Sequence, residues 1–183
     1  MSLETIYYMG QTLAVLAVLI SLIAVFFQMR QQSQTARSEL YLTAVTAFSE
    51  IFRTVRTDPE FARLYSVFLQ EWDALSKVQK LQVHTFNVEM CVNLDSSLTM
   101  YEQKMIDESL VKPWTDNILG VIITPGGAKW WNESQFLFTP QLRDTLNDRL
   151  LDPESLPPPW THFSPWLADR TDVDELTGSN KNS

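Results

Sequence analysis

Chemistry-bearing residues are scarce in this chain: one cysteine, Cys91, and two histidines, His84 and His162. A single thiol excludes an intrachain disulfide, which suits a reducing compartment. The histidines are far apart and neither sits in an HExxH or CxxC setting, so neither a metal site nor a cofactor is expected. Glycine occurs five times. Its one doublet, Gly126-Gly127, follows Pro125 without the lysine and hydroxyl pair of a phosphate loop, and Lys129 alone does not make one. Basic residues are absent before Arg30, and the net charge is −8 with no polybasic cluster. Such a surface does not attract nucleic acid or anionic lipid through a general field. Sustained two-residue alternation is missing too, which excludes a sheet as the scaffold.

What the chain has in abundance is an apolar run. Thr5 to Met29 contains no charged side chain, and a hydrocarbon core of about 30 Å needs roughly 20 helical residues. A signal peptide should show a positive n-region, a shorter apolar core and a small-x-small cleavage site. Here Glu4 is the charged residue before the run, and Val25-Phe26-Phe27-Gln28 offers no cleavage motif. A soluble core helix of this length would carry a polar stripe. The run is therefore expected to be a transmembrane helix, with Tyr7 and Tyr8 suited to an interfacial belt. Arg30 and Arg37 follow it, so charge bias places the C-terminal side in the cytoplasm and the anchor in the cell (inner) membrane.

Within the run, Gly10, Ala14, Ala17, Ser21 and Ala24 recur at intervals of four, three, four and three, and they are every Gly, Ala and Ser from Gly10 to Met29. Small residues on one stripe let helix backbones approach closely in lipid. This stripe is a candidate seam for homo-oligomerisation, and its register continues through Gln28, Gln31 and Thr35.

No Gly or Pro occurs between Gln11 and Val55, so helix is expected to continue beyond the membrane, with Leu40, Ala44, Phe48, Ile51 and Val55 on one apolar face. Thr57-Asp58-Pro59-Glu60 caps a second helix whose Phe61, Leu64, Tyr65, Phe68, Leu69 and Trp72 keep the helical spacing. Ser76 opens a third, from about Lys77 to Met105. Asp107 opens a fourth, through Leu110, Trp114, Ile118 and Ile122, interrupted by Pro113, which is expected to end or kink the preceding turn unless it falls near a helix start. Thr124-Pro125 and Thr139-Pro140 start two short helices, to about Ser134 and Leu151. Beyond Leu151 three consecutive prolines exclude helix, and the final acidic residues suit disorder. Trp160, Phe163 and Trp166 in that tail either dock on the chain's own helices or bind a partner.

Elsewhere the polar side chains suggest little chemistry. Cys91, beside Met90, Val92 and Leu94, reads as a small core residue rather than a nucleophile. Asn87, Glu89, Asn93 and Asp95 could line an acidic pocket with Arg53 or Arg63 as counterion, but they spread around the helix and suit a bundle surface better. Trp130 and Trp131 point about 100° apart and read as packing anchors.

The neck Phe27-Gln28-Met29-Arg30-Gln31-Gln32-Ser33-Gln34-Thr35-Ala36-Arg37, the helix start Asp58-Pro59-Glu60-Phe61-Ala62-Arg63-Leu64, and Pro125-Gly126 leading to Trp130-Trp131 and Phe136 carry a resemblance. Over most of Met1 to Leu151 the chain resembles a broad group of uncharacterised bacterial single-pass membrane proteins with an N-terminal transmembrane helix and a short cytoplasmic helical domain. The resemblance implies an architecture and no activity. Pro113 and the aromatic tail depart from it.

Together these features predict an all-α chain: a short segment 1–4, a transmembrane helix 5–29, a cytoplasmic helical domain 30–151 and a Pro- and Trp-containing acidic tail 152–183. The expected role is a membrane-anchored interaction or scaffold module. An accessory or sensor subunit of a membrane complex is the alternative, and an enzyme is the third class, since no catalytic constellation emerges.

Overall fold

A computed structural model describes residues 3–158 and Val173. The chain divides into two compact units, Met1–Leu40 and Tyr41–Ser183. Six α-helices and three 3-10 turns make up the described residues, with no strand among them: α1 Leu3–Thr57, α2 Pro59–Gln70, α3 Lys77–Glu102, α4 Glu108–Ile122, α5 Pro125–Ser134 and α6 Pro140–Leu151. The turns are Trp72–Ala74, Gln135–Leu137 and Pro153–Ser155.

Local chemistry sets most boundaries. Asp58 caps α2 by accepting from the amides of Glu60 and Phe61 at 3.0 and 3.1 Å, with Pro59 in the first turn where no donor is needed. Ser76 and Gln79 form a reciprocal capping box on α3. The Thr124 and Thr139 hydroxyls accept from the amides of Gly127 and Leu142, opening α5 and α6 at the expected prolines.

Two expectations need correction. The third helix ends at Glu102, three residues before Met105, because the chain turns through Lys104 at φ 57°. That turn brings Ile106 into the core at 7% exposure. Pro113 does not end α4, which runs through it. The missing amide forgoes a single bond about one and a half turns from the helix start, while Leu110, Val111 and Thr115 are buried around it and Trp114 stacks on Phe48 with ring centroids 3.7 Å apart.

The core belongs to the unit Tyr41–Ser183. Phe48 and Ile51 of α1, Val67 and Phe68 of α2, Val83 and Leu94 of α3, Leu119 and Ile122 of α4, Trp130 of α5, and Leu142 and Leu146 of α6 are all buried in one cluster. Each such side chain contributes roughly 1.5–3 kcal/mol of burial. The glycine doublet sets how closely α5 can approach. A β-carbon on Gly126 would sit 1.6 Å from the Phe68 carbonyl oxygen, and one on Gly127 would sit 2.0 Å from that of Val121. Close backbone packing, rather than phosphate binding, explains the pair.

Candidate functional site

In the unit Met1–Leu40, Gly10, Ala14, Ala17, Ser21 and Ala24 all lie on α1 and all are exposed. Nothing lies within 4 Å of a β-carbon placed on Gly10. The hydroxyl of Ser21 donates to the Ala17 carbonyl at 2.8 Å, and that of Thr12 to Tyr8 at 2.9 Å. Bonds of this kind satisfy hydroxyls inside the helix and make them compatible with an apolar medium. Among the described residues one helix, α1, is long and apolar enough to cross a membrane: an 18-residue window reaches a mean hydropathy of 2.5, and none of it is buried.

In the domain, a groove of about 600 Å³ opens among α3, α4, α6 and the chain that follows α6. Leu98, Val111 and Leu156 supply apolar lining, and Glu108 and Glu154 are among its charged groups. Asp116 organises one wall. Its Oδ2 accepts from Lys112 Nζ at 2.6 Å, and its Oδ1 lies 2.6 Å from Arg149 Nη1, an ion pair without hydrogen-bond alignment at that oxygen. Partial burial alone would raise the Asp116 carboxyl, but Lys112 and Arg149 outweigh it and hold it below the usual range. Arg149 also donates to the Ser155 carbonyl, and the Ser155 hydroxyl donates back to the Arg149 carbonyl at 3.0 Å. One side chain thus ties α4, α6 and the final 3-10 turn together. The Lys112–Asp116 pair was legible at helical i,i+4 spacing. Arg149 was not, because tertiary folding alone brings it there.

The polar residues considered for an acidic pocket diverge. The Tyr65 hydroxyl donates to Asn87 Oδ1 at 2.9 Å, Asn93 donates to the Glu89 carbonyl at 2.8 Å, and Asp95 accepts from Thr139 at 2.7 Å. Arg53 pairs with Glu50. Burial, together with the charge of Asp95, pushes the Cys91 thiol well above its ordinary value, so thiolate chemistry is disfavoured there. The adjacent tryptophans part as expected: Trp130 Nε1 donates to His84 Nδ1 at 3.2 Å, and Trp131 Nε1 to Asn147 Oδ1 at 2.9 Å.

Trp160, Phe163 and Trp166 lie outside the described residues. Val173, farther along the same tail, is helical and 1% exposed, as part of the core cluster.

No protein-family model, curated protein or solved structure matches this chain. The features available for function are therefore an exposed apolar helix with a small-residue stripe and a domain with a charged, apolar-lined groove. Both suit binding: one presents side chains that need an apolar surround, and the other a concave surface with fixed charges.

Proposed function

We propose that the protein is a membrane-anchored helical interaction or scaffold module, held in the cell (inner) membrane by one pass of α1 with the domain in the cytoplasm. The exposure of the apolar window of α1 carries this reading. A helix belonging to a soluble core would bury those side chains. Leu13, Val15, Leu16, Val18, Leu19, Ile20, Leu22 and Ile23 instead present 49–66% of their surface, and a run of such residues favours insertion by roughly 0.3–0.6 kcal/mol each. Arg30 and Arg37 supply the sidedness.

Alkaline extraction should leave the full chain in the membrane fraction, and protease added to intact cells should spare everything beyond Arg30. Release by alkali would end the anchor reading, whereas digestion from outside would reverse the orientation.

The groove beside Asp116 favours a second reading, an accessory or sensor subunit of a membrane complex that holds a partner segment there. Co-purification of an unlike protein from mild detergent at constant stoichiometry, lost on replacing the groove-lining, exposed Tyr101 by Glu, separates that role from a scaffold built of identical copies.

A further inference from the structure

Helix α3 is apolar on two faces. Val83, Phe86, Met90 and Leu94 turn into the core, but Val78, Leu81 and Val92 remain 70%, 64% and 51% exposed. With exposed Thr85 and half-buried Val88 they recur at intervals of three, four, three and four. That is the seam spacing of a two-stranded coiled coil, in which each residue of the stripe packs into the facing helix. The segment from Trp130 to Thr139 is tied to the flank of α3 by the Trp130–His84 and Thr139–Asp95 bonds. Between those ties in the chain, Phe136 and Leu137 are 67% and 55% exposed.

We propose that this face pairs with the same face of a second copy of the chain, with the two α3 helices antiparallel. Charge selects the occupant and its direction. Lys77 stands at the start of the stripe and Asp95 beyond its end, about five helical turns apart and so on the same flank. Lys77 and Glu89 form no ion pair with another described residue. A parallel pair would leave Lys77 about five turns from the partner's Asp95, with Gln82 rather than an acid facing it across the seam. An antiparallel pair brings Lys77 to the partner's acidic end, so the surface is complementary to itself. Matching the stripe in that direction pairs Leu81 with the partner's Val92 and Thr85 with the partner's Val88. The seam covers only about two heptads and is marginal alone, but confinement of both copies to one membrane raises their effective concentration. The pairing rests on the interaction-module reading for its purpose, while its geometry lies wholly within the domain.

Disulfide trapping tests it on the full chain in its native membranes. Two differently tagged chains, one carrying Leu81→Cys and the other Val92→Cys, should cross-link to each other on mild oxidation. Either variant alone should not, because its two cysteines would lie about 16 Å apart along the antiparallel pair, beyond the roughly 7 Å that a disulfide spans. Native Cys91 is buried and does not compete. Adding Thr85→Lys to both chains should cut the cross-link at least tenfold with the melting temperature unchanged, since Thr85 is exposed. An Asp148→Cys control, on the exposed side of α6, should stay monomeric. Cross-linking of each single variant with itself would overturn the antiparallel pairing. Absence of the mixed cross-link, or capture of an unlike protein in its place, would overturn the second copy as occupant. None of these results alters the alkaline-extraction test, so loss of the pairing and loss of the anchor can be told apart.

Discussion

Gly126 shows how one residue fixes a packing distance. Its missing β-carbon lets the start of α5 rest against the Phe68 carbonyl, where any side chain would overlap backbone rather than a movable side-chain end. Gly126→Ala should therefore cost about 3 kcal/mol or more, by forcing α5 away from α2. Thermal melting of the full chain in detergent checks this, and an unchanged midpoint would mean that the helices separate at no cost. Asp116 makes a different test, because its effect depends on pH. Its folded carboxyl titrates below the unfolded value of about 3.9, so the folded state binds fewer protons and the stabilisation is present above that value. The stabilisation is lost as pH falls through the folded pKa. The melting-temperature gap between the protein and Asp116→Asn should be widest above the unfolded carboxylate range and close as pH falls below it. A gap that does not vary with pH would show that the Lys112 and Arg149 contacts do not act through charge.

At the scale of the element, α1 carries two patterns in one helix. Its later part buries Phe48 and Ile51 in the domain, while its earlier part presents the stripe Gly10, Ala14, Ala17, Ser21 and Ala24. Replacing Ala17 and Ser21 together by Leu keeps the segment apolar but holds facing backbones apart. Replacing Leu16 and Ile20 by Val changes a face about 100° away. In a Thr85→Lys background, where α3 pairing does not mask the result, cross-linked oligomers should be lost in the first double variant and kept in the second. Equal cross-linking in both and in the parent would leave the spacing a coincidence. In α3, Asn87, Cys91, Leu94 and Leu98 fall on one line at helical spacing and all four are buried, whereas Tyr101 at the end of that line is 41% exposed. The opposite stripe was equally present in the sequence, but the 3.6-residue period cannot say which of two apolar faces meets the core.

At the scale of the whole molecule, the described residues after Leu151 belong to the fold. Ser155 is bonded to Arg149, Leu156 packs on the core, and Val173 is buried at 1%. Truncation after Leu151 should lower the melting temperature by roughly 5 °C, since burial of Val173 alone is worth about 2 kcal/mol. An unchanged midpoint would favour a tail that is free until a partner arrives.

Helix number, most helix starts and the apolar run were legible because they are local. Capping groups such as Asp58, Ser76, Thr124 and Thr139 act within three or four residues, and the stretch from Thr5 to Met29 is continuous in the chain. The sequence by itself therefore determined which segments are helices and which one can enter a membrane. Only the tertiary structure decided the rest. Pro113 stays inside α4 because neighbouring burial outweighs one lost bond, and the third helix stops at Glu102 because Ile106 must reach the core. Arg149 meets Asp116, and Gly126 meets Phe68, across separations that no local spacing encodes. Such contacts depend on which faces pack together, and that is settled by the summed burial of the whole domain rather than by any segment of it.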